Sequence, residues 1–363
     1  MRKRIVHCID KLHGGGAQTQ LIHLCNNTDR QKYKVAILCF DPSSVLQLKD
    51  DVDFIIIKKR SGIFLLISWY EIFREIKVFK PQILQLWLPE IITIPAVIAG
   101  IFCKNCFILS CSRRIPIKKV GLLWFRDRLK YIAHGLANKM TTNFPMPLKF
   151  KSFFNTIYNY RKGQVIFNGL DISFLSRYAI HNKYAGGQLN LIYTGRLTYQ
   201  KNVNLLILAI KELIDEGYDI QLRIYGQGED EGILKKLVEE NNITQFISFN
   251  GFNSEWYKLI DNSHAFIIAS NLEGMPNVLF EATALGMPIL ASNIEEISHH
   301  FTDNYDAFLF EVNSVKSISN AIERVLKDPS SLDIIYNNAY NTIQKYSINS
   351  MVNQYELIYK NNK

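Results

Sequence analysis

The chain has 363 residues, enough for two domains at ~150 residues each. A hydrophobic share of 48% with 21% charged residues excludes disordered and collagen-like chains. The net charge of +9 conceals an asymmetry: residues 1–180 hold 28 Lys and Arg against 11 Asp and Glu, net +17, and residues 181–363 hold 14 against 22, net −8. Opposite charge in the halves predicts two domains with different partners. A basic half suits nucleic acid, anionic lipid or phosphorylated ligands, and charge alone does not choose.

No apolar run reaches the ~18 residues that span a membrane. The nearest, Ile91 to Cys103, is short and contains Thr93 and Pro95. The opening Met-Arg-Lys-Arg-Ile-Val leads into an alternating run rather than a signal-peptide segment, so the expected location is the cytoplasm. Cys103-x-x-Cys106 is the one cysteine pair at metal or redox spacing; with no second pair following, it reads as core cysteine.

Short apolar strands alternate with helical patterns throughout. Strands are expected at Arg4–Ile9, Tyr33–Phe40, Val52–Ile57, Ile83–Trp87, Phe107–Cys111 and Val165–Phe167. Helices are expected at Ala17–Cys25, Leu65–Phe79, Ile91–Phe102 and Leu122–Ala137. The second half repeats the alternation with strands at Asn190–Tyr193, Gln221–Tyr225, Phe246–Phe249, Ala265–Ala269, Pro288–Ala291 and Ala307–Phe310. This order predicts an α/β protein of two doubly wound parallel sheets. The seam is placed at His181–Gln188, giving domains 1–182 and 183–346, with a cleft between them as the expected site. Residues 347–363 then form a docking helix with Ile348, Met351, Val352, Tyr355, Ile358 and Tyr359 on one stripe.

Three features carry chemistry. Gly15 and Gly16 follow the first strand and open the first helix, where backbone can approach a phosphate or sugar; a tight turn is the alternative. The dinucleotide fingerprint is incomplete, because Thr19 falls at its third glycine. Gly195-Arg196 and Lys201 put two cations after the first strand of the second half, a pattern suited to a diphosphate or to a solvated basic loop. Ser270 to Ala282 then sets Glu273 and Glu281 around Gly274, Met275, Pro276, Asn277 and Val278 at a helix start. Carboxylates beside such backbone amides suit sugar and ribose hydroxyls.

This last segment resembles the E-x₇-E signature of family 4 retaining glycosyltransferases, which have the GT-B fold: two Rossmann-like domains around a cleft. Gly-Arg-x₄-Lys resembles that family's diphosphate loop, Asn168-Gly169-Leu170-Asp171 its turn before the interdomain linker, Tyr225-Gly226-Gln227-Gly228 its GxG turn, and Gly14-Gly15-Gly16-Ala17-Gln18 its acceptor-side loop. The resemblance implies that Arg196 and Lys201 hold the donor diphosphate, Glu273 the donor sugar and Glu281 the ribose. Gly251 and Phe252 would line the base. The implied chemistry uses no metal and no cofactor, with a nucleotide sugar, UDP-linked, as donor and a lipid-linked glycan of bacterial surface polysaccharide as acceptor. The sequence departs from the family at Glu90, which stands where many members carry histidine. It is either a hydroxyl-binding or basic group or a strand-end surface residue.

Asp51-Val52-Asp53 matches a metal-binding DxD but opens what reads as a buried strand, so it is set aside. Among the histidines only His13, beside the glycines, is a ligand candidate. Residues 113–130 hold seven cations (Arg113, Arg114, Lys118, Lys119, Arg126, Arg128 and Lys130) against Asp127, interleaved with Trp124 and Phe125. That composition suits an anionic membrane surface on the inner leaflet; a solvated helix is the alternative, and no nucleic-acid motif accompanies it. The rival readings are a GT-B nucleotide-sugar 2-epimerase, a noncatalytic sugar-nucleotide-binding subunit and, more distantly, a dehydrogenase.

Overall fold

The computed structural model describes residues 2–13, 15–43, 47–88, 90–112, 132–143, 163–180 and 184–362. The basic stretch 113–130, most of the expected helix Leu122–Ala137, and residues 181–183 of the expected seam lie outside them. Two compact units result, one of residues 1–169 with 348–363 and the other of residues 170–347.

The first unit is a parallel sheet in the order β3-β2-β1-β4-β5-β6-β7. Its strands are β1 (Lys3–Cys8), β2 (Tyr33–Cys39), β3 (Asp53–Ile56), β4 (Ile83–Leu86), β5 (Phe107–Ser112), β6 (Lys139–Thr142) and β7 (Gly163–Val165). Parallel neighbours need crossovers, supplied by α1 (Gly16–Asn27), α2 (Leu65–Phe79) and α3 (Thr93–Ile101). Strand alternation splits the core in two. Ile5, Val35, Ile37, Ile83 and Leu109 join Leu21 and Leu24 of α1 on one face. Val6, Ala36, Leu38, Leu84 and Ile108 meet Ile72 and Ile76 of α2 and Ala96 of α3 on the other. The expected buried strand after Asp51 is instead the edge strand β3, with Phe54 and Ile56 exposed, because only β2 pairs with it. Strand β6 was not expected. Its sequence, Lys-Met-Thr-Thr, lacks an apolar run, and the buried Thr141 hydroxyl donates to Cys111 Sγ (3.2 Å) on the neighbouring strand.

The second unit is a parallel sheet in the order β10-β9-β8-β11-β12-β13. It comprises β8 (Leu189–Thr194), β9 (Ile220–Tyr225), β10 (Ile247–Phe249), β11 (Ala265–Ile268), β12 (Ile289–Ser292) and β13 (Phe308–Phe310). Its helices are α4 (Ile172–Leu175), α5 (Val203–Asp215), α6 (Glu231–Glu240), α7 (Asn277–Ala284), α8 (Glu295–Ser298), α9 (Val315–Lys327) and α10 (Ser331–Ile343). The unit begins at Leu170 rather than at 183. Asp171 caps α4 through the Phe174 amide (3.0 Å), Phe174 and Tyr178 pack on Tyr257, and the Ile180 amide bonds to Leu285 O (3.0 Å). Those contacts fold the segment onto the second unit before the Ala-Gly-Gly sequence is reached.

The last helix, α11 (Ile348–Asn361), belongs to the first unit. Its stripe Met351, Val352, Tyr355, Ile358 and Tyr359 completes the core face shared with α1. The two tyrosine hydroxyls enter a buried polar cluster. Tyr359 donates to Gln85 Oε1, Gln85 Nε2 donates to Cys111 Sγ (3.1 Å), and the Tyr355 hydroxyl lies 3.7 Å from the same sulfur. Where the chain leaves this unit, the Gln20 amide grips Gly169 on both sides, accepting from its N–H (2.7 Å) and donating to its C=O (3.1 Å). A Cβ at Gly169 would lie 2.8 Å from the Ile348 backbone, so only glycine lets the departing and returning segments pass. No helix among the described residues is long and apolar enough to cross a membrane.

Tyr359→Phe should strand the buried Gln85 oxygen at a cost of about 1–3 kcal/mol. Hydrogen–deuterium exchange should then quicken in β4 and α11 and stay unchanged in the second unit; equal protection in the variant would show that this hydroxyl does not anchor the helix.

Candidate functional site

Each candidate residue sits on a loop after a strand or in the first turns of the helix that follows it. In the second unit, β8 ends at Thr194 and the chain turns through Gly195, Arg196 and Leu197 to a single helical turn at Tyr199–Lys201. The loop is held by its neighbours. Gly195 N–H bonds to Tyr225 O (3.0 Å), Leu197 N–H to Gln227 O (2.9 Å), and the Tyr193 hydroxyl to Arg196 O (3.1 Å). Gly226 and Gly228 make this approach possible. A Cβ on them would lie 1.9 Å from Gly195 O and 2.0 Å from Leu197 O, so the GxG turn is needed for loop packing whatever it binds. The next loop joins the same cluster, with Gly226 N–H bonding Gly251 O (2.8 Å) and Phe252 left 68% exposed. The Arg196 side chain is exposed.

Lys201 and Glu273 come together. The Lys201 ammonium bonds to Glu273 Oε1, to which Ser270 Oγ also donates (2.7 Å), and the two charged side chains are only 12% and 11% exposed. Backbone bonds align their loops: Asn271 N–H to Gln200 O (3.0 Å) and Gln200 Nε2 to Leu272 O (3.2 Å). A pair so withdrawn from water is costly to break, because either partner alone is a charge without compensation. Two expected roles, diphosphate contact and sugar contact, therefore start from one ion pair.

Beyond Glu273 the chain passes half-buried Gly274 and buried Met275 and Pro276, then enters α7 at Asn277 and Val278. Pro276 holds the N-cap position, and the Leu279 amide bonds back to its carbonyl (2.9 Å). Glu281, one turn in, accepts from Trp256 Nε1 (3.3 Å). Burial pushes its carboxyl above the ordinary range, and the indole hydrogen bond opposes this. Trp256 and Ser270 are partners that the motif pattern did not single out; nothing in the spacing marks Trp256, which comes from a separate loop.

In the first unit, Gly15 is the N-cap of α1, and both it and Gly16 are exposed. Gly14 lies outside the described residues. Glu90 accepts from the Asp10 amide (2.7 Å), and the Asp10 carboxylate accepts from the Ile92 amide (3.2 Å), so this pair ties the ends of β1 and β4 together. That gives Glu90 a structural task at the strand end where a functional one was also expected. His13 Nδ1 lies 2.9 Å from Ser43 Oγ and 3.2 Å from Asp41 Oδ2. Asp51 and Asp53 are engaged by Arg30 (2.8 Å) and Lys34 (2.9 Å), and no group of three potential metal ligands occurs among the described residues.

Residues 179–342 match the family model for glycosyl transferases group 1. A UDP-Gal:alpha-D-GlcNAc-diphosphoundecaprenol alpha-1,3-galactosyltransferase of Escherichia coli is 30% identical over 192 residues, covering 50% of this chain and 49% of that protein. The capsular polysaccharide biosynthesis glycosyltransferase CapM of Staphylococcus aureus is 24% identical over 173 residues, covering 46% and 44%. The chain thus spans about half the length of these curated relatives. Among solved structures, Anabaena Alr3699/HepE in complex with UDP and glucose superposes with a TM-score of 0.75 at 14% identity, covering 99% of this chain and 100% of that one. The chain therefore has the GT-B fold, and Arg196, Lys201, Glu273 and Glu281 all lie within residues 179–342, the segment that matches the glycosyl transferases group 1 model.

Proposed function

We propose that this chain is a retaining, metal-independent glycosyltransferase of family 4 type. It moves a hexose or N-acetylhexosamine from a UDP-linked donor to a lipid-linked glycan in bacterial surface polysaccharide synthesis. The observation that carries the reading is the little-exposed Lys201–Glu273 pair, which joins the loops after β8 and β11 in the segment that matches the group 1 model, with Arg196 on the first of these loops and Glu281 one turn into α7. The donor and acceptor classes are supported by the relative named for UDP-Gal and a diphosphoundecaprenol-linked sugar, and by a Campylobacter jejuni relative named as acting on a diphospho-undecaprenol-linked sugar.

Breaking the donor's glycosidic bond leaves negative charge on the departing diphosphate. Arg196 answers it with a solvent-facing guanidinium, and Lys201 with an ammonium already oriented by Glu273. The half-charge at the N-terminus of α7 adds to them, with Gly274, Met275, Asn277 and Val278 giving backbone amides to phosphate and sugar. Glu281 accepts from ribose hydroxyls, and Gly251 and Phe252 line the base. Gly15 and Gly16 bring backbone to the diphosphate and the acceptor, and Glu90 binds hydroxyls or assists the acceptor as a base. The enzyme works on the cytoplasmic face of the membrane, held in part by residues 113–130.

Arg196→Ala should lower kcat/KM by about 10²–10³-fold, the effect of removing one transition-state donor, with an unchanged melting temperature. Full activity in this variant would sink the diphosphate assignment. Lys201→Ala should lose comparable activity and also about 3–5 kcal/mol of stability, because it strands Glu273. Lys201→Ala/Glu273→Gln should recover stability without activity.

A raised Glu281 carboxyl favours the folded state below the ordinary carboxylate range, and that gain is lost as pH climbs through the raised value. Glu281→Gln, which keeps the bond from Trp256, should therefore melt higher than the parent near neutral pH and approach it in acid. Calorimetric titration of the variant with UDP should show weaker binding; unaltered affinity would remove Glu281 from the nucleotide site.

Nucleotide release from a UDP-sugar should require a lipid-linked acceptor and should continue in EDTA. Release without acceptor would favour the epimerase. Activity lost to chelation and regained with manganese would reinstate Asp51 and Asp53.

A further inference from the structure

We propose that the outer face of α2 and α3 is a docking surface for an anionic lipid bilayer. Helix α2 sends Ser68, Ile72 and Ile76 into the core. Its opposite side should then be polar, yet Leu66 (61%), Ile67 (44%), Tyr70 (64%) and Val78 (70%) are exposed there. Helix α3 does the same with Ile98 and Ile101, followed by Phe102 (65% exposed). The two helices form one surface. Phe73 and Phe102 meet edge-on at 6.3 Å, and Lys77 Nζ donates to Phe102 O at 2.7 Å.

The charges on this face have one sign. Arg74, Lys77 and Lys80 are exposed on α2 and at its C-cap, and Lys104 follows α3. The two acids of α2 are half-buried and engaged, Glu71 by Arg60 (2.8 Å) and Glu75 by Arg74 (2.6 Å). No acidic residue is exposed in 62–80 or 98–105. Apolar side chains rimmed by exposed cations, of which only Arg74 has an acidic partner among the described residues, match the interface of a bilayer, where acyl chains take the first and headgroup phosphates the second. A second copy of the chain fits less well, since a two-fold pair would set the same cations against each other. The proposal deepens the membrane partner of the reading above but rests on α2 and α3 alone, so it stands or falls apart from the transfer reaction and from residues 113–130.

The test is sedimentation of the full chain with phosphatidylcholine vesicles, with and without phosphatidylglycerol. The parent should bind only vesicles containing phosphatidylglycerol, and less as salt rises. Leu66→Ser/Ile67→Ser/Tyr70→Ser should reduce the bound fraction at least tenfold, and Arg74→Gln/Lys77→Gln/Lys104→Gln should do so more strongly at low salt than at high. Ile67→Ser/Val78→Ser is a milder second variant if the triple change alters the circular dichroism spectrum. The proposal is overturned if these variants bind as the parent does while Lys118→Gln/Lys119→Gln/Arg126→Gln/Lys130→Gln releases the protein. It is equally overturned if the parent ignores both vesicles, or if light scattering finds a dimer that the apolar variant dissociates.

Discussion

Parallel strand pairing is the constraint from which the rest of this molecule follows. Every ladder in both sheets is parallel, so each strand must be followed by a crossover before its neighbour can be laid down. All strands of a sheet then end on the same side, and the loops that follow them gather there. Arg196, Lys201, Gly251, Glu273 and Glu281 lie far apart in sequence and are brought to one edge of the second sheet by this rule alone. Gly15, Gly16 and Glu90 gather at the corresponding edge of the first sheet for the same reason.

What the sheet gathers, close packing then fixes. Gly226 and Gly228 let the loop after β9 lie against the loop after β8 with no side chain between them. Paired hydrogen bonds align the Lys201 turn with the segment bearing Glu273. The ammonium and carboxylate are thereby held together where little water reaches, which orients the lysine. Glu281 is handled differently: burial beside the Trp256 indole N–H disfavours its charge.

The chain's course sets a second constraint. It leaves the first unit at Gly169 and re-enters it at Ile348, and α11 fills a core face that α1 covers only in part. The return is specified by more than apolar area. Tyr355 and Tyr359 reach Cys111 and Gln85, polar groups buried in the sheet that would otherwise lack these hydrogen bonds. The Gln20 amide fixes the exit point by holding both polar groups of Gly169.

The sequence by itself determined much of this. Alternation of short apolar runs with helical periodicity was enough for two parallel sheets, since burying both strand faces leaves a continuous apolar signal. The stripe on residues 348–359 was enough for a docked last helix, and the order of short motifs located the loops of the second unit. Other features were settled only by tertiary structure. Strand β6 is made of Lys-Met-Thr-Thr and is a strand because β5 and β7 flank it. The divide falls at Gly169 because Phe174, Tyr178 and Ile180 find partners in the second unit. Motif spacing brought out Lys201 and Glu273 as separate candidates but not as an ion pair, and it left Trp256 unmarked. Periodicity is a local property that one segment carries alone, whereas a buried partner is a property of two segments. Only the folded chain brings those two together.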